Sequence, residues 1–159
     1  MSVPDLEIRA LLNDELTLTL TLLGEARGEE VEGRIAVAGV IRNRVNDERW
    51  PDTFKDVCLQ KMQFSCWQTI GGAANYKALM DCAERLLTGR PPNISFVSEA
   101  LVKETQWIAQ GIISGVTRDR TMGSNHYLTR SLWESSTPPS WVRGCSPSCL
   151  ILRHAFFRL

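Results

Sequence analysis

The run LTLTLTLLGEARGEEVEG, from Leu16 to Gly33, restricts this chain more than any other stretch. Its first half alternates Leu and Thr, and its second half carries Glu25, Glu29, Glu30 and Glu32. As a strand, the leucines would share one face and the threonines the other. Thr is a mediocre helix former, so local propensity favours that strand. Continuity favours a helix. Asn13 or Asp14 can cap its start, Gly28 can stop it, and only an isolated Gly24 interrupts Glu15–Arg27. The helix is the stronger reading. At about 100° per residue it sets Leu16, Leu20 and Leu23 on one face and Leu18 and Leu22 on another, with Glu25 beside the second pair.

That position has a chemical meaning. A carboxyl group on an apolar wall resists ionising and can act as a general acid near neutral pH. Glu29, Glu30 and Glu32 would push the same way by repulsion, whereas Arg27 and Arg34 would neutralise them. The bland alternative is a solvated helix end carrying four glutamates.

The rest of the chain is rich in helical signals. VEGRIAVAGVIRNRV sets Val31, Ile35, Ala38, Ile41 and Val45 on one stripe, with Arg34, Arg42 and Arg44 elsewhere. NYKALMDCAERLLTG forms another helix, stopped by Gly89 and Pro91-Pro92. SEALVKETQWIAQGIISG forms the next, capped by Ser98, with Leu101, Thr105, Ile108 and Ile112 inward. Trp107 lies inside this helix and reads as core. From Thr117 to Pro147 the composition turns to Gly, Ser, Asn, Pro and aromatics, which predicts loops with a short hairpin at most. A mainly α (α+β) single domain of four to six helices over 1–159 follows, and its length suffices for one core.

The 18 basic and 18 acidic residues cancel, so no basic footprint for nucleic acid exists. No apolar run approaches the roughly 20 residues of a membrane span. MSVPDLEIRALLNDE has early acids and no basic start, unlike a secretory signal. Synthesis and folding in a cytoplasm are therefore expected, and a monomer. Cys58, Cys66 and Cys82 are scattered, while Cys145 and Cys149 form a lone C-x-x-x-C. Free or buried thiols are the plain reading, and a local 145–149 disulfide is the alternative.

Several motifs occur in a fixed order: GEARGEEVEGRIAVAGVIRNRV, QFSCW at 63–67, GSNHY at 123–127, PSWV at 139–142 and RHAFF near the end. This set resembles the cell-wall hydrolase family that includes the spore-cortex-lytic enzymes of germinating bacilli. The resemblance runs from about Leu20 to Phe157. It implies a lysozyme-like domain that cleaves peptidoglycan glycan strands by lytic transglycosylase chemistry, and the lack of clustered ligands in the sequence predicts that no metal or cofactor is needed. It also implies that Glu25 is the catalytic acid. The family usually has Gly-Ala-Thr-His-Tyr where this chain has Gly123-Ser124-Asn125-His126-Tyr127, and a glycine where it has Leu152. A lone domain of this kind looks like a bacteriophage endolysin, held in the host cytoplasm until a holin opens the membrane.

A hydrolase would add a second carboxylate as nucleophile or base. Glu32 at i+7 is the first choice and Glu29 at i+4 the next, and neither spacing holds if Gly28 breaks the helix. A glycan groove also needs flat apolar faces and amide-binding edges. Trp67, Tyr127 and Trp141 suit the first need and Gln63, Ser65 and Asn125 the second, with His126 beside them. For each Trp, core packing is an equal alternative, and Trp133 stays undecided. Two rival functions remain. His126, His154 and a carboxylate could hold zinc in an amidase, or the aromatics could serve a non-catalytic wall-binding module.

Overall fold

The computed structural model describes residues 3–69 and 73–159. The Leu–Thr run is a helix. Among the described residues α1 spans Val3–Leu11, α2 Asp14–Ala26, α3 Val31–Val45, α4 Phe54–Leu59, α5 Ala73–Leu87, α6 Glu99–Ser114 and α7 Arg130–Trp133. Asn13 caps α2, its Oδ1 accepting from the Leu16 N–H at 2.8 Å.

The alternation that mimics a strand arises because α2 is buried on all sides. Leu18, Leu20, Leu22 and Leu23 are fully buried, and so are Thr17, Thr19 and Thr21. Each threonine satisfies its hydroxyl within the helix. Thr17 donates to the Asn13 carbonyl (2.6 Å), Thr19 to Glu15 (2.8 Å) and Thr21 to Thr17 (2.7 Å). Thr therefore fits a dry interior that an unpaired hydroxyl would destabilise. Around α2 pack α6, α4, α5 and α3.

Helix α3 departs from the expected single stripe. Ile35, Ala38 and Ile41 join the helical core, but Ala36 and Val40 form a second cluster with Phe156. Val31 is exposed. The helix is thus sandwiched between the bundle and a small sheet. Arg34 and Arg44, placed away from the stripe, are buried as well. The Arg34 guanidinium pairs with Glu104 and donates to Thr105 Oγ1 at 2.9 Å.

The sheet has three antiparallel strands, β1 (His126–Thr129), β2 (Cys149–Ile151) and β3 (His154–Phe157), in the order β1-β3-β2. Only β1 lies in the expected loop region, and the hairpin is formed by the apolar carboxyl end. Asp119 organises the approach to β1. Its carboxylate accepts from the Thr121 N–H (2.9 Å), the Gly123 N–H (2.7 Å) and Asn43 Nδ2 (3.1 Å).

Helices α5 and α6 lie close to their expected bounds, and Ser98 caps α6 through the Leu101 N–H at 3.1 Å. Trp107 corrects the sequence reading: it is 79% exposed. It lies two residues, about 200°, from buried Thr105 and so points away from the core. Trp133 is half-buried, edge-on to Phe157. All five cysteines are free. Cys58, Cys66 and Cys82 are buried, and Cys145 and Cys149 contact different carbonyls, those of Trp141 and Arg120. Burial pushes the Cys58 thiol up to about 12.

Candidate active site

Glu25 sits one residue before the end of α2, where the helix leaves the core. Its Oε1 accepts from the Cys66 backbone N–H at 3.0 Å and the Ser65 hydroxyl at 3.3 Å. Both donors belong to a 3-10 turn, Ser65–Trp67, drawn against α2 by two features. Trp67 is buried and its Nε1 donates to Thr21 Oγ1 at 2.9 Å. Gly24 leaves room for the turn, since a Cβ there would stand 2.5 Å from Cys66 Cβ and 2.7 Å from its Sγ. The leucines of α2 thus anchor the backbone in the core, and the carboxyl group itself meets polar donors.

Glu25 opens onto a cleft of about 530 Å³ lined also by Glu29, Thr129, Arg130, Leu152, Arg153 and His154. The helix stops at Ala26 and the chain turns through Gly28 before α3, so the i+4 and i+7 relations to Glu25 do not apply. The turn brings Glu29 into the cleft and leaves Glu32 outside it. Glu29 is only 10% exposed, accepts from Arg153 Nη2 at 2.6 Å and lies 4.0 Å from His154 Nδ1. Glu32, the first choice from spacing, is 62% exposed and pairs with Arg120 at 3.3 Å. Glu30 is exposed before α3. Arg27 and Arg34 do not neutralise this group: Arg27 donates to Asn75 Oδ1 (3.1 Å) and lies over the Phe96 ring.

The sheet divides the remaining candidates. Side chains alternate across a strand, so Tyr127 and Thr129 share a face with their register partners Phe156 and His154. Tyr127 packs edge-on to His154 at 5.6 Å and stacks on Phe156 at 5.8 Å. Burial and then the negative charge of Glu25 push its phenol above the usual range, so it stays neutral. His154 is held below the ordinary imidazole range by burial, against the pull of Glu29.

His126 and Trp141 lie on the opposite sheet face, 5.2 Å apart, and Trp141 meets Phe157 there. Neither lines the cleft that holds Glu25. Because His126 and His154 occupy opposite faces, they do not converge on one zinc ion.

Gln63 accepts from Arg44 Nη1 at 3.0 Å, and Arg44 Nε donates to the Asn125 carbonyl at 2.7 Å. Asn125 is 4% exposed and ties down the carboxyl end through Leu159, by Nδ2 to its O (2.8 Å) and by Oδ1 from its N–H (3.0 Å). Asn125 is buried and Gln63 is exposed, and neither lines the cleft that holds Glu25. Trp67 is core, whereas Ser65 is exposed and in contact with Glu25.

The sequence reading missed Thr129, Arg130 and Arg153, and gave His154 only a zinc role. The usable signal was the period-two spacing of Tyr127 and Thr129 and of His154 and Phe156 in two short segments. It becomes informative only once their pairing is known.

The cell wall hydrolase family model matches residues 28–157, beginning just after Glu25. The spore cortex-lytic enzymes of Oceanobacillus iheyensis and Bacillus subtilis are 43% and 40% identical over 53 residues, 33% of this chain and 19% and 17% of theirs. The chain thus spans less than a fifth of the curated relatives it matches. Among solved structures, the catalytic domain of the germination-specific lytic transglycosylase SleB from Bacillus anthracis superposes with a TM-score of 0.60 at 20% identity, covering 91% of this chain and 94% of that one. The catalytic domain of the Bacillus cereus SleB protein gives 0.53 at 22% identity, covering 90% and 88%. At these identities the likeness is one of fold.

Proposed function

The chain belongs to the cell wall hydrolase family, and on that premise we propose that it cleaves peptidoglycan glycan strands as a lytic transglycosylase. The observation that carries this reading is Glu25, which lines a cleft with one carboxyl oxygen held by two donors, while Glu29 in the same cleft is paired with Arg153. With Oε1 so occupied, Oε2 carries the transferable proton. Glu25 protonates the bridging oxygen between muramic acid and glucosamine as an oxocarbenium-like sugar forms. The muramic 6-hydroxyl then attacks the anomeric carbon, and Glu25 takes back its proton. Glu29 is held by Arg153 at 2.6 Å and has no assigned step in this scheme.

Digestion of purified peptidoglycan in ¹⁸O-water tests this. The expected products are unlabelled 1,6-anhydromuramoyl ends, about 18 Da lighter than hydrolysed ends. Labelled reducing ends would mean that water attacks, with Glu29 as the second carboxylate. New peptide amines without glycan cleavage would favour the amidase.

The same proposal extends to a phage endolysin that acts as a monomer and reaches the wall from the host cytoplasm through a holin lesion. Expression inside a bacterial host, alone and with a holin, tests it. Lysis that requires both supports the role, and lysis by the protein alone overturns it.

A further inference from the structure

The rim of the cleft carries a pair of arginines that the acid chemistry does not use. The β1–β3 ladder has its Thr129–His154 rung beside Glu25 and continues one step further, where the Arg130 N–H donates to the Arg153 carbonyl at 2.8 Å. That bond fixes the backbones of Arg130, which opens α7, and Arg153, in the β2–β3 turn, side by side, and both residues line the cleft that holds Glu25. Two guanidinium groups lining one cleft repel one another. Their acidic partners offset this only in part. Arg130 reaches Glu134 at 3.4 Å with both groups about half exposed, a contact of little energy. Arg153 binds the buried Glu29 but is itself 72% exposed.

The geometry points to a carboxylate clamp: Arg130 and Arg153 select glycan strands whose muramic acid carries a stem peptide with free carboxylates. This rests on the glycan-cleaving reading above. An N-acetylated sugar backbone is neutral, so the anionic groups of the polymer lie on the muramic side chains. Cleavage by Glu25 places a muramic residue in the cleft, and its peptide then leaves along the rim. Planar guanidinium forks match carboxylates in bidentate geometry. The hydroxyls of Thr129 and Ser131, on the same wall, add polar groups for peptide amides.

The test uses soluble, uncrosslinked glycan strands before and after their carboxylates are converted to amides with carbodiimide and ammonia. The intact protein should cleave the amidated strands with KM raised about tenfold and kcat nearly unchanged, the size of one lost charge-assisted contact. Arg130→Gln leaves the Glu29–Arg153 pair intact. It should raise KM several-fold on native strands and leave KM on amidated strands unaltered. Arg153→Lys preserves the charge beside Glu29 while removing the fork, and should also narrow the discrimination. Equal KM for both preparations, or wild-type discrimination in both variants, overturns the clamp. Cleavage of neither preparation overturns the glycan-cleaving reading itself, and the clamp with it.

Discussion

Glu25 and Glu32 are seven residues apart, and their different surroundings separate them chemically. Glu25 accepts two donors at the cleft, while Glu32 is on an exposed helix start paired with Arg120. Glu25→Gln preserves shape and removes the acid, and should lower wall-clearing activity by roughly 10²-fold or more with the fold intact. Glu32→Gln should stay within about twofold of wild type, because an exposed ion pair contributes little. Turbidity assays on cell walls, with circular dichroism for folding, check both. Near-native lysis by Glu25→Gln would sink the assignment, and a large loss in Glu32→Gln would bring Glu32 back into the mechanism.

Two elements hold strain or tight contact close to that acid. In α2, Gly24→Ala would gain about 1 kcal/mol of helix propensity. The new Cβ, however, would collide with Cys66, which donates to Glu25. The expected outcome is a net loss of about 1–3 kcal/mol from overpacking and a larger fall in activity than in stability, as the Ser65–Trp67 turn shifts. Thermal melting and kcat together read this out, and unchanged activity would show that the turn tolerates displacement. In the β2–β3 hairpin, Leu152 has φ +49°, and two residues separate the Ile151–His154 pair. A left-handed non-glycine residue costs about 1–2 kcal/mol, and glycine's greater freedom in the unfolded chain offsets about 0.5–1 of that. Leu152→Gly should therefore stabilise the protein by up to about 1 kcal/mol, seen as a higher urea midpoint at constant slope. A lower midpoint would mean that the leucine side chain contributes more by packing than its 40% exposure suggests.

For the whole molecule, the two histidines dominate the response to mild acid. Burial holds both below the ordinary imidazole range. Arg44 and Arg49 add to this at His126, and Arg153 at His154 against the opposing pull of Glu29. The unfolded chain therefore binds protons first, and stability rises with pH wherever it does so. Folding free energy should be flat between the unfolded histidine value of about 6.5 and the unfolded thiol value of about 8.5, and fall as pH drops below that window toward the folded histidine values. His126→Asn should flatten part of that slope. Urea titrations at closely spaced pH values measure it, and a slope unchanged by the substitution would assign the effect to other groups.

Helix identity was legible in the sequence where burial is one-sided, as in α5 and α6, because a 3.6-residue period then has a polar phase to contrast with. It was legible for α2 only through continuity and capping, since total burial removes the polar phase and leaves a Leu–Thr alternation that also suits a strand. Glu25 was legible as the candidate acid, because it lies at the end of the buried helix and within its motif. The carboxylate that shares its cleft was not. Spacing along an ideal helix favoured Glu32, but the break at Gly28 turned Glu29 into the cleft instead. Nor could sequence separate Tyr127 from His126. They are adjacent residues of similar aromatic character, and strand register alone puts one beside Glu25 and the other on the far face with Trp141. The local chain thus singled out Glu25 as the candidate. The long-range pairing of β1 with β3, and the packing of the Ser65–Trp67 turn on Gly24, decided which groups surround it.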